Sequence, residues 1–258
     1  MLGNHPDFDW IQTDLEEGKP VLPDVQVCIH AAGISPRDGV STSDFVHHNV
    51  TATQNLLLSL QESNCKQLIY LSAVSVYGEV SQTILNEETP STNVQPYGLS
   101  KLLAEKLIID QHSLSSCILR LPGVLGQGAS TAWLVKQIHK AIRNENIIIS
   151  NPDSQFNNAV WADDLCDFIL RILRLNSQPK TQTFLLGAAD SLNVREIIDL
   201  IIKETGSVSK IVEADGPRAF TLDASRARKM NFVSKSLRSM VKAQIDIENQ
   251  YILEQRLD

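Results

Sequence analysis

Two side chains in "QPYGLSK" are spaced to act together. Tyr97 and Lys101 stand four residues apart and so share one face of any helix they occupy. A phenol ordinarily loses its proton near pH 10, too high for a base at neutrality. A neighbouring ammonium favours the phenolate and makes the tyrosine a usable acid/base. The same spacing also suits the wet end of an amphipathic helix, whose core side would be Leu99, Leu102, Leu103, Leu107 and Ile109.

Other groups carry weaker signals. "GVLGQG" has glycines spaced G-x-x-G-x-G, with no acidic residue at the distance a dinucleotide fingerprint needs. It reads as a substrate-side loop. His47 and His48 have no partner at metal spacing, and His30 reads as a packed residue at a strand end. Asp163 and Asp164 open a helical pattern, where carboxylates cap free N–H groups and offset the helix dipole. The four cysteines are scattered without a C-x-x-C, and three lie in apolar runs, so buried reduced thiols are expected, in keeping with a reducing cytoplasm.

The elements that must position Tyr97 and Lys101 alternate in type. "DVQVCIHAAG", "KQLIYLSAVSVYG", "SCILRLPGVLG" and "TQTFLLGA" read as strands. Helical patterns lie between and after them, including "SDFVHHNVTATQNLLLSLQES", with Ser43 or Asp44 as its cap, and "NVREIIDLIIKETG", closed by Gly206. This alternation predicts an α/β fold with a parallel sheet and a ligand beyond the carboxyl ends of the strands. Over 258 residues, 43% hydrophobic, there is material for one large core, and the net charge of −7 offers no basic footprint for nucleic acid. The start reads as no signal peptide, and no apolar run approaches membrane-spanning length.

"YLSAVSVYG", followed twenty residues on by "YGLSK", resembles the extended short-chain dehydrogenase/reductases, and more narrowly the NAD-dependent epimerase/dehydratase family acting on nucleotide sugars. "DVQVCIHAAG", "NVTATQNLL", "NEETP", "LRLPGVLGQG", "NNAVWADDL" and "LDASRARKM" resemble further motifs of that family, in the same order. The resemblance implies a Rossmann-type core over residues 1–124 and 155–187, and a smaller substrate lobe over 125–154 and 188–258. It implies NAD or NADP as cofactor and epimerisation, dehydration or 4-keto reduction of a nucleotide sugar in the cytoplasm, and it leaves room for a homodimer.

By the same resemblance Tyr97 is the acid/base and Lys101 its electrostatic partner, which also holds the nicotinamide ribose. Asp14, Leu15, Ala31, Ala32, Gly33 and Asn49 would line the cofactor. The family's helper hydroxyl falls on Ala73, so Ser72 or Ser75 must supply it, and Ser72 is favoured. Gly123 and Asn157 replace an asparagine and an arginine that hold the nucleotide diphosphate. Asn157 stays a candidate contact, with Arg218 as phosphate clamp or plain loop arginine.

The family's first strand, its G-x-x-G-x-x-G turn and its second strand have no counterpart in this sequence. "FDWIQTDL" resembles the third strand, so roughly sixty residues of the usual fold would precede it, judged by the size of a βαβ unit. A shortened product of a longer gene is the expectation. The strand in "VQVCIH" should then stand at a sheet edge, and the dinucleotide should bind weakly. The alternative is a family member without catalysis that serves as a binding or interaction protein.

Overall fold

A computed structural model describes residues 7–111, 113–174 and 181–254. Its centre is a four-stranded parallel sheet in the order β1 (Val27–His30), β2 (Gln67–Ala73), β4 (Ser115–Leu121), β9 (Gln182–Leu185). Each strand is a short apolar run, and each pairing is joined through a helical crossover, as parallel pairing requires. The expected α/β architecture is present.

Side chains alternate across the sheet. Leu68, Tyr70 and Ile118 join Leu56, Leu57, Ala104 and Ile108 on one face. These last come from helices α2 (Ala52–Gln61) and α3 (Pro96–Ile109). Ile69, Cys117, Leu119 and Leu121 pack on the other face with Leu165, Phe168 and Ile172 of α5 (Ala162–Arg174). A separate apolar cluster holds α4 (Trp133–Ile142), α6 (Val194–Thr205) and the buried part of α8 (Leu237–Glu254). Short pairs complete the fold: β5 (Gly123–Leu125) with β8 (Ala159–Trp161), β12 (Thr221–Leu222) with β3 (Ile84–Leu85), β10 (Leu192–Asn193) with β7 (Gln155–Phe156), and β11 (Ile211–Glu213) with β6 (Ile147–Ile149).

Several local expectations are corrected. Residues 8–14 of "FDWIQTDL" form no strand, and Trp10 and Ile11 are exposed. A strand is held by a ladder, and β1 is the sheet's edge, with no neighbour on that side among the described residues. The helix expected from Ser43 or Asp44 is capped two to three residues earlier, at Ser41. Ser41 accepts from the Asp44 N–H while Asp44 accepts from the Ser41 N–H, a closed capping box. That helix runs from α1 (Thr42–Phe45) through a π-helical stretch at Val46–Thr51 into α2. Cys166, expected to be buried, is exposed on the outer face of α5. Asp163 and Asp164 have specific partners: Asp163 accepts from the Trp161 indole, and Asp164 accepts from the backbone and the ammonium of Lys235. Gly206 closes α6 with φ +64°, as read. Among the described residues no helix is long and apolar enough to cross a membrane.

Candidate active site

The ends of β1, β2 and β4, the start of α3 and the start of α4 surround a cavity of about 830 Å³. Ala31, Ala32, Gly33, Ser75, Tyr97 and Lys101 are among its walls. Pro96 occupies the first helical position of α3, where its missing N–H costs nothing, so Tyr97 emerges at the helix start beside the strand ends. Gly98 allows the close approach. A Cβ there would lie 2.0 Å from the Ser75 carbonyl oxygen, so only glycine lets the helix touch the turn at Val74–Tyr77.

Tyr97 is half-buried and packs 5.6 Å, centroid to centroid, from Phe45. Burial pushes its phenol up, and a hydrogen bond with Ser35 opposes the rise. Lys101 is buried, and its Nζ lies 4.5 Å from the centroid of the Tyr70 ring. Burial pushes that ammonium down to about 8, while Glu105 holds it up.

Ser72 does not face the cavity with its hydroxyl. Its Oγ donates to the buried Glu105 Oε1 at 2.5 Å, and Glu105 also receives Nε and Nη2 of Arg120, the latter at 2.7 Å. Arg120 continues to the Tyr77 hydroxyl and the Glu87 carbonyl. Ser75, one turn beyond the strand, is exposed and lines the cavity. Sequence reasoning did not single out Gly98, Ser35, Tyr70 or the Glu105–Arg120 pair. The spacing Lys101 to Glu105, i to i+4, was the available signal for the last.

Asn49, expected to line the cofactor, stands behind the Ala31–Gly33 turn. It is buried, accepts from the Ile34 N–H at 2.8 Å, and donates to the Ile34 carbonyl and the Ser100 hydroxyl. It thereby fixes the turn at Gly33, whose φ is +140°. Asp14 and Leu15 line a second cavity of about 690 Å³, which shares Ala32, Gly33 and Ile34 with the first. His48, paired there with Glu16, lies on the same wall.

The two expected diphosphate contacts are placed elsewhere. Both polar atoms of the Asn157 side chain bind the backbone of Leu222, at 2.7 and 3.0 Å, and hold β12. Arg218 is exposed beside a smaller cavity of about 450 Å³ formed with residues 151–155. Lys136, from α4, also lines the Tyr97 cavity, together with Trp133 and Phe156, whose rings lie tilted with centroids 5.1 Å apart.

Comparison with known proteins fits this geometry. The sequence model of the NAD dependent epimerase/dehydratase family matches residues 10–187. A UDP-glucose 4-epimerase of Azospirillum brasilense is 30% identical over 74% of this chain and 62% of its own length. The low-salt glycan biosynthesis protein Agl12 of Haloferax volcanii is 22% identical over 89% of this chain and 78% of its own. The chain thus spans less than two thirds of the Azospirillum enzyme. Among solved structures, MoeE5 in complex with UDP-glucuronic acid and NAD superposes with a TM-score of 0.81 at 21% identity, covering 93% of this chain and 85% of that one. The UDP-glucuronic acid 4-epimerase of Bacillus cereus in complex with NAD gives 0.79 at 22%, covering 92% and 78%.

Proposed function

We propose, since this chain belongs to the NAD-dependent epimerase/dehydratase family, that its cavity takes a nucleotide sugar and NAD(P) and that Tyr97 moves the proton of a sugar hydroxyl. Epimerisation at the sugar's C4 is the reaction we favour, because several of the similar proteins are named 4-epimerases. The observation that carries the reading is the convergence of Tyr97, Lys101, Ser75 and the Ala31–Gly33 turn on one cavity.

The residues present suit the nicotinamide half of the cofactor. The turn at Gly33 is tight: a Cβ there would meet Asn49 Oδ1 at 2.6 Å, so only glycine lets this turn lie against Asn49. Ala31, Ala32 and Gly33 would hold the ring and Lys101 the ribose. Asp14 and Leu15 would lie at the adenosine end, on the second cavity. NAD(P), when bound, supplies the hydride acceptor. Tyr97, as the phenolate that Lys101 stabilises, accepts the hydroxyl proton and becomes the neutral phenol, and Ser75 shares the substrate oxygen.

The test is conversion of UDP-glucose to UDP-galactose by the full chain at millimolar NAD. Turnover that falls on the order of 10²–10⁴-fold in Tyr97→Phe, with NAD affinity unchanged, is the expected result. Absence of conversion while calorimetry shows both ligands bound would favour the second reading, a binding protein without catalysis. Two observations favour that one: Ala73 at the helper position, and Ser72 committed to Glu105.

A further inference from the structure

Lys101 has a neighbour outside the cavity's lining. Its ammonium sits over the ring of Tyr70, a side chain on β2 that is 1% exposed and lines no reacting position. Tyr70 pairs with His30 across the β1–β2 ladder, and the two rings pack at a tilt of 35° with centroids 5.2 Å apart. His30 is fixed in turn by Thr53, whose hydroxyl lies 2.8 Å from Nε2 and gives its own proton to the Asn49 carbonyl. Nε2 is therefore the donor to Thr53. The Tyr70 hydroxyl lies near Thr53 but makes no well-formed hydrogen bond, although it is buried. A tyrosine whose hydroxyl is unused, yet whose ring is clamped on one side and covered by a cation, is used for its ring.

We propose that Tyr70 is a positioning residue for Lys101: the negative face of its ring seats the ammonium at the depth from which it serves the cavity. The proposal rests on the reading above only in taking Lys101 as part of the site. The charged and titratable groups around the ammonium are Glu105 and Tyr97 on α3, His30 on β1, and Arg120 on β4, which is bound to Glu105. Burial keeps His30 neutral, pushed down to about 4, so it adds no rival cation. Glu105 is shared with Arg120 and Ser72, so the ring remains as the element that can be changed without altering any of these charges.

The experiment follows the titration of Lys101 in the full chain, without cofactor or substrate, by NMR of ¹³Cε-labelled lysine. Lys101→Arg assigns the resonance. Three side chains are compared at position 70: tyrosine, phenylalanine, and pentafluorophenylalanine, which keeps the shape and reverses the ring's charge distribution. Phenylalanine should leave the midpoint in place, and the fluorinated ring should lower it by about half a pH unit or more. Equal midpoints in all three would overturn the proposal and leave Tyr70 as packing. The fluorinated variant keeps the test sound where Tyr70→Leu would collapse the core. The readout involves no turnover, so it can fail while the assignment of Tyr97 stands, and the reverse.

Discussion

At the scale of single residues, the choice between Ser72 and Ser75 shows what alternation can and cannot decide. Adjacent residues of a strand face opposite ways, and that was visible in "YLSAVSVYG". Which face α3 would cover was not, because it depends on packing between elements far apart in sequence. The structure gives Ser72 to Glu105. Ser72→Ala should therefore cost stability, by about 1.5–3 kcal/mol for a buried bond to a carboxylate, and leave kcat nearly unchanged. Ser75→Ala should leave the denaturation midpoint unchanged and lower kcat by about tenfold or more. Denaturant melts and steady-state kinetics on both variants check this, and the opposite pattern would restore Ser72 as the helper. His30 makes a prediction about pH. Its imidazole is pushed down from 6.5 to about 4, chiefly by burial and then by Lys101. Above pH 6.5 both folded and unfolded forms are neutral and the full stability is present. As pH falls from 6.5 to 4 the unfolded chain takes up a proton that the folded chain refuses, so stability is lost through that window, by up to about 3 kcal/mol. The difference in stability between the parent and His30→Gln should change with pH across that interval and be flat above it.

At the scale of elements, the strongly apolar strands and the long helices were legible. Each is a bounded run or a sustained helical period. The two-residue strands such as β3 and β12 were not, since two residues carry no period, and their pairing is fixed from outside by Asn157. The 65 residues that separate Asn157 from Leu222 explain why the sequence suggested a substrate contact for Asn157: its place in the family motif pointed there, and its true partner was remote. The contact between α3 and the Val74–Tyr77 turn rests on Gly98, visible in "YGLSK" but silent about its reason. Gly98→Ala should force the helix off the Ser75 carbonyl. The expected result is a loss of about 2–3 kcal/mol, as for overpacking of a tight contact, together with loss of activity, because the turn that carries Ser75 moves with it. Denaturation and kinetics on this variant measure both, and unchanged values would mean that the approach is looser than the geometry indicates.

At the scale of the whole molecule, the sheet has an open side. Val27 and Ile29 on β1 are 36% and 48% exposed, and no strand covers the outer ladder among the described residues. That edge was legible, because the order of the family's strands could be compared with those present in "DVQVCIHAAG" and after. Self-association should follow, seen as a rise in apparent mass with concentration by light scattering, and Ile29→Lys should suppress it. A monodisperse monomer at high concentration would show that the edge is guarded in some other way. In the same polypeptide NAD should bind weakly, since none of its twelve glycines stands in a G-x-x-G-x-x-G turn to cradle a pyrophosphate. Micromolar affinity by calorimetry would contradict that. The sheet's topology carries one more consequence, for the birth of the molecule rather than its resting state. Every pairing in the central sheet is parallel, so none can close as a local hairpin, and the strands assemble only after whole crossovers have been gathered in. Among the described residues β1 has one neighbouring strand, β2. A chain still on its way to the fold therefore offers the same apolar edge for longer and with less around it, and the yield of refolding should fall with protein concentration more steeply than the solubility of molecules already folded.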